Sequence, residues 1–349
     1  MGKTQRKEYL DWLRVFAAFF VVLIHVAGQF FTTPPVTTFG WNTMNLFAGI
    51  SRWAVNCFIM ASGAIFLQRD LSIKTILKKY VVHILVVFYA WSFLFACLDV
   101  ADGFTPIEAI KRFILGHYHM WFLPMMAGMY IVTPFLRKIR ENETLVNYYL
   151  VVCFVTSFLL PHIIDVVGIF RPGIQAVIRS LLQSFDIHLA AGYSGLFLLG
   201  YVLDTREISV KQEKMIYTLG IFGGFIGTVV LTSLTSIYQG SVSWIFYQNY
   251  ALCVVMQTTA VFVWMKKHAT TTFAQLGKKI PVTTISKYGL TIYVGHCFIL
   301  ERFQMWANFT VLSLPSILSI PLLTIVVYLL TLGLAHILHK IPIVKDWMV

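Results

Sequence analysis

Charge is what this 349-residue chain has least of. Lys, Arg, Asp and Glu together make up 12% of it, about half the roughly 25% of an ordinary soluble domain. No polar segment is long enough to fold as a soluble domain of its own, so one domain over 1–349 is expected and any chemistry must sit among the apolar segments. The five cysteines (Cys57, Cys97, Cys153, Cys253, Cys297) are isolated, odd in number and free of C-x-x-C spacing, which argues against a disulfide framework and a cysteine metal site. No motif or charge pattern repeats between the halves, whereas many secondary transporters are built from internal repeats.

What is present is apolar length. The chain is 58% hydrophobic with mean hydropathy +0.75, and ten stretches are long enough to cross a hydrocarbon core as helices: 9–31, 45–67, 80–98, 119–136, 146–164, 187–203, 215–234, 246–265, 284–301 and 315–338. The fold expected is all-α, a polytopic membrane bundle of about ten helices. The net charge of +12 is explained by topology rather than by nucleic acid, which is not an expected partner. Basic residues gather in alternate connections: Lys3, Arg6 and Lys7, then Arg69 to Lys79, then Arg137 to Arg140, Arg206 to Lys214, Lys266 to Lys287, and Lys340 with Lys345. That alternation places both termini in the cytoplasm by the positive-inside rule. The first stretch is preceded by basic residues as a signal peptide would be. It is too long, contains Arg14 and ends in "FFTTPP" without a small-residue cleavage site, so it reads as a retained span.

That first stretch carries Asp11, Arg14 and His25. Ionisable groups in a membrane segment mark function by default, because their burial in hydrocarbon is costly. Eleven residues separate Arg14 from His25, three turns plus about 20°, so the two share a face about 16.5 Å apart along the axis. Asp11, three residues before Arg14, lies on that face and is positioned to pair with it. The plain alternative is an ion pair at a helix end and a histidine hydrogen-bonded to a neighbouring helix. The H-x-H at His117 and His119 has no carboxylate or thiolate near it in sequence, so no metal is expected there, and His83 reads as a packed histidine.

The pattern D-x-x-R-x10-H resembles the acyltransferase 3 family of multi-pass membrane O-acyltransferases. "SRWAVNCFIMASGAIFL" at 51–67 is similar to that family's second-span motif and places Arg52, Ser62 and Gly63. "YHMWFLPMMAGMYIVTPFLR" at 118–137 resembles its His-x-Trp-Phe segment and places His119 and Trp121. "SGLFLLGYVLD" at 194–204 and "ISKYGLTIYVGH" at 285–296 match two later motifs, the second placing Tyr288, Tyr293 and His296. The closest flavour is the stand-alone bacterial polysaccharide O-acetyltransferase, of the type acting on enterobacterial common antigen. Two departures stand out: Asn56 where the family often has proline, and Lys74, Lys78 and Lys79 where many members carry an Arg-x-x-Arg pair that helps hold the donor.

The resemblance implies a multi-pass protein of the cell (plasma or inner) membrane, with no tightly bound cofactor. It would pass an acyl group, acetyl first, from cytoplasmic acyl-CoA (acetyl-CoA) as donor co-substrate to a hydroxyl of a glycan or lipid-linked sugar, a polysaccharide modification. His25 would act as general base or acyl carrier, since neutral imidazole suits either role. Arg14 would bind donor phosphate or steady an oxyanion, with Asp11 orienting it. Lys74, Lys78 and Lys79 would hold the donor, and Arg52, Ser62, His119, Trp121, Tyr293 and His296 the acceptor. For Trp121 the competing reading is interfacial anchoring, and for Tyr293 and His296 a structural hydrogen bond. A transporter or flippase of glycans, or a sensor without turnover, are the rival classes.

Overall fold

The computed structural model describes residues 6–184 and 192–347 and, among them, is helical with no strand. Seven helical runs are long and apolar enough to cross a membrane: Glu8–Gly28 (α1), the broken pair Phe39–Gly49 and Trp53–Phe66 (α2, α3), Ile73–Ala101 (α4), Pro106–Arg140, Glu143–Phe170 (α7), Val210–Gln239 (α10) and Ser316–Leu338 (α14). The run Pro106–Arg140 divides into α5 (Pro106–Leu115), a 3₁₀ turn at Tyr118–Trp121 and α6 (Phe122–Arg140). The remaining principal helices are α8 (Pro172–Ser184), α9 (Gly192–Thr205), α11 (Leu252–Thr272), α12 (Val282–Lys287) and α13 (Gly289–Ala307).

Each of the ten expected stretches meets a helix, but three of those helices are shorter or more polar than a simple span. α9 has 14 residues, and the part of the expected stretch at 187–191 lies outside the described residues. α11 begins at Leu252 after a 3₁₀ turn at Ile245–Tyr247 and runs on to Thr272, past the expected end at 265. α13 carries Glu301 and Arg302. The charged connection after α4 contains an amphipathic helix, α5, started by a capping box: Thr105 N donates to Glu108 Oε2 (2.8 Å) and Glu108 N to Thr105 Oγ1 (3.4 Å), so two orphan helix-start donors are satisfied reciprocally.

α1 is the centre of the bundle, packed on α2, α3, α11, α12, α13 and α14. α3 and α9 cross closely because both offer glycine. A Cβ on Gly63 would lie 1.8 Å from Phe197 O, and one on Gly200 2.1 Å from Met60 O. Small residues at a crossing let membrane helix backbones approach where no hydrophobic force drives them together. Gly63, the end of the second-span motif, therefore has a packing reason of its own. Arg137 of α6 caps the α3 end, donating to Leu71 O (2.7 Å) and Phe66 O (3.0 Å).

Gly200→Leu meets backbone at this crossing, and overpacking of a tight core costs about 1–3 kcal/mol or more. The monodisperse folded fraction in fluorescence-detected size exclusion should collapse in Gly200→Leu and survive in Gly128→Ala, whose added Cβ meets nothing within 4 Å.

Candidate functional site

α1 runs between two polar regions, one at its start and one at its end. At its start a pocket of about 320 Å³ is lined by Arg6, Lys7, Arg14, Arg69 and Lys287, with Asp11 the one carboxylate in its wall. Among the described residues the five cations outnumber the one anion, so the field in the pocket is positive. Two anchors build its rim. Asp204 of α9, nearly fully buried, accepts from Lys7 Nζ (2.5 Å), from the Tyr9 hydroxyl and from Gln68, which fixes the start of α1 against the ends of α3 and α9. Asp11 accepts from Arg6 Nε (2.7 Å), Arg6 Nη2 (2.9 Å) and the Ser286 hydroxyl of α12 (2.7 Å).

The ion pair of Asp11 is thus with Arg6, against the expected pairing with Arg14. Residues 6 and 11 meet because Arg6 precedes the helix and folds back along its first turn, a contact helical spacing does not anticipate. Arg14 faces the pocket beside Tyr130, which stacks on Phe66 (4.4 Å between ring centroids) and hydrogen-bonds Ser62. Ser62 accordingly belongs to this basic end, away from the acceptor candidates it was grouped with. Lys74, Lys78 and Lys79 are exposed and line none of this pocket. Arg69 and Lys287, which do, come from two distant connections. Their only sequence signal was membership of the basic clusters.

At the far end of α1, His25 sits among rings from two other elements: His296 at 4.8 Å, Tyr118 at 5.7 Å and His119 at 6.0 Å between centroids. Gly116 makes this meeting possible. Its φ of +77° turns the chain out of α5, and a Cβ there would strike the Phe88 ring at 2.6 Å. The turn that follows brings His117 under the Phe95 ring (4.3 Å, nearly parallel) and buries His119. His296 Nδ1 donates to Ile292 O one turn back (3.1 Å), leaving Nε2 as a lone pair facing the Cys297 thiol (3.4 Å). His119 Nε2 lies 3.2 Å from Val294 O, and the Tyr293 hydroxyl donates to His119 O. The Tyr118 hydroxyl is 3.6 Å from Cys297 Sγ.

Of the other expected acceptor residues, Trp121 is part-exposed against Tyr193 (5.6 Å between rings). Arg52 lies in an adjoining cluster with its guanidinium 3.9 Å over the Tyr247 ring, and its Nε has no hydrogen-bond partner among the described residues. Tyr288 bonds His336 Nδ1 (3.1 Å) and is not among the residues that line the basic pocket. The structure also overturns the premise used against a metal at His117 and His119. A carboxylate, Glu301 at 3.2 Å from His117 Nε2, and a thiol, Cys297, are both there, supplied by α13 and invisible to spacing along the chain.

A model of an acyltransferase domain matches residues 7–338. The chain belongs to the acyltransferase 3 family. No curated protein and no solved structure matches it. As a member of the acyltransferase 3 family with seven long apolar helices, it is a multi-pass membrane acyltransferase, and the match runs from the basic pocket at Lys7 through the whole histidine cluster.

The Asp11 pairing is measurable by double-mutant cycles on stability in detergent. Asp11 and Arg6 should couple by about 0.5–1 kcal/mol, and Asp11 and Arg14 by less than about 0.3 kcal/mol. The reverse order would restore the i, i+3 pair.

Proposed function

We propose that this chain is an O-acyltransferase that takes an acyl group, acetyl first among the candidates, from a coenzyme A thioester and gives it to a hydroxyl of a cell-surface or lipid-linked glycan. One observation carries the reading: the central helix joins a pocket of five cations at one end to a cluster of imidazoles at the other, about 16.5 Å apart along its axis. A polyanionic head with a long thioester arm matches that division. In this reading the phosphates of the donor lie against Arg6, Lys7, Arg69 and Lys287, Arg14 takes the inner phosphate, and the pantetheine arm extends along α1 toward His25.

His25 then acts as general base. Its neutral ring takes the proton of the acceptor hydroxyl as the oxygen attacks the thioester carbonyl. The carbon–sulfur bond breaks, and the thiolate leaving group takes that proton from the imidazolium. His296, with Nε2 turned into the cluster by its backbone bond, and Tyr118 flank the reacting centre, and the part-exposed Trp121 offers a ring face to a sugar. The positive-inside charge pattern supports a basic pocket facing the cytoplasm of a plasma or inner membrane, both termini on that side, and a histidine end facing outward.

The test is acyl transfer by purified protein in vesicles, with label in the acyl group of the thioester. His25→Ala should lower turnover by 10²–10⁴-fold, the usual weight of a general base, and label should appear on the acceptor without a protein-bound intermediate. Arg69→Glu and Lys287→Glu should raise KM for the thioester and leave KM for the acceptor unchanged. Folded wild-type protein that moves a glycan across the vesicle while consuming no thioester would replace this reading with a transporter.

A further inference from the structure

The contact between His117 and His119 poses a question that the acyl-transfer reading leaves untouched. Their Nδ1 atoms are 2.7 Å apart. His119 Nε2 faces Val294 O, which can only accept, so that nitrogen carries its hydrogen. His117 Nε2 faces a carboxylate oxygen of Glu301 and likewise donates. Each neutral ring then presents a bare lone pair at Nδ1, and the two lone pairs point at one another. Such a pair holds together only around a positive charge, which is either a proton or a metal ion.

We propose that this cluster is a metal site for a borderline-soft d¹⁰ cation of the zinc type, held by His117 Nδ1, His119 Nδ1 and Cys297 Sγ. One ligand atom from each of the three residues lies within 4.8 Å of the other two, and all three residues are buried. Bonds of about 2.0–2.1 Å to nitrogen and about 2.3 Å to sulfur place tetrahedral nitrogen ligands about 3.3 Å apart and the sulfur about 3.6 Å from each, so admitting the ion moves the Nδ1 atoms apart by about 0.6 Å, turns each lone pair off the line between them and draws the sulfur in. Two imidazoles and one thiolate are the donor set such a cation prefers, and three protein ligands leave its fourth position open.

The surroundings match those of a metal-bound histidine pair. One ring donates its outer N–H to a carboxylate and the other to a backbone carbonyl, the two usual supports that fix tautomer and ring orientation. The Tyr118 hydroxyl stands by the sulfur (3.6 Å) as a donor to the thiolate. Charge also balances. A divalent ion would displace two protons, the one shared between the Nδ1 atoms and the one on the thiol. The total charge of the cluster with Glu301 is then unchanged, and membrane depth strongly favours that. Glu301, with its side chain 35% exposed, gives the ion its way in. Bound there, the ion ties the Tyr118–Trp121 turn to α13 beside His25. His296 and His25 also approach Cys297, but among the described residues the His25 ring makes no comparable bond that would commit its outer nitrogen.

The experiment uses full-length, tag-free protein in detergent, dialysed against Zn²⁺ and assayed for bound metal, then reloaded with Co²⁺ for its absorption spectrum. One Zn²⁺ per chain is expected, with a thiolate-to-cobalt charge-transfer band in the near ultraviolet. Both should vanish in Cys297→Ser and in His117→Ala, persist in His25→Ala, and weaken 10–100-fold in affinity in Glu301→Gln. Size exclusion must show each variant folded, and Cys297→Ser, the smallest change, serves if a histidine variant does not fold. Folded wild-type protein without stoichiometric metal overturns the proposal and leaves a shared proton as the bridge. Binding unchanged in Cys297→Ser, or lost in His25→Ala alone, overturns the ligand set.

Discussion

At membrane depth a polar side chain has no water to turn to, so every donor and acceptor must be answered from within the protein or bear a heavy cost. The histidine end of this bundle is organised around that constraint. His296 answers one nitrogen with its own helix carbonyl, His119 with a carbonyl of the same helix, and His117 with the Glu301 carboxylate. Once those bonds are made, the remaining nitrogens have no freedom of tautomer, and their lone pairs are aimed. The chemistry of the cluster follows from how its burial is satisfied.

The same constraint explains the division of labour along α1. At the basic end, charges outnumber their partners, and the excess lines an open pocket where water or a ligand can reach it. The carboxylates there, Asp11 and Asp204, hold cations in position from buried seats. At the far end Arg302 pairs with Asp102, Arg112 with Asp99 and Glu301 with His117, while Arg52 rests on the Tyr247 ring. The proposed transfer, from a donor with several phosphates to a neutral hydroxyl, would use such an asymmetry.

Glycine and aromatic residues supply the precision that the polar groups need. Gly63 and Gly200 let α3 and α9 touch through their backbones, which seats Asp204 over Lys7 and Tyr9. Gly116 turns the chain so that the H-x-H segment enters the bundle, where Phe95 covers one ring. Each of these residues decides where a polar side chain of the two ends can stand.

The sequence by itself determined the membrane class, the helical fold and the stripe from Asp11 to His25, because long apolar runs and helical periodicity are local properties. It also carried the family, whose motifs are short and lie in order. It could not place the cations of the basic pocket. Arg6 folds back onto Asp11 from outside the helix, which helical spacing does not anticipate, and Arg69 with Lys287 close one pocket from distant parts of the chain, whereas the more conspicuous Lys74, Lys78 and Lys79 are exposed and line none of it. Cys297 was read as an isolated thiol and His117 with His119 as a pair without partners, since neither has a partner nearby in sequence. Only tertiary packing, by laying α13 against the turn after α5, brought thiol, imidazoles and Glu301 to one point. Side-chain chemistry is written in the chain, but coordination depends on distances that only the packed helices define.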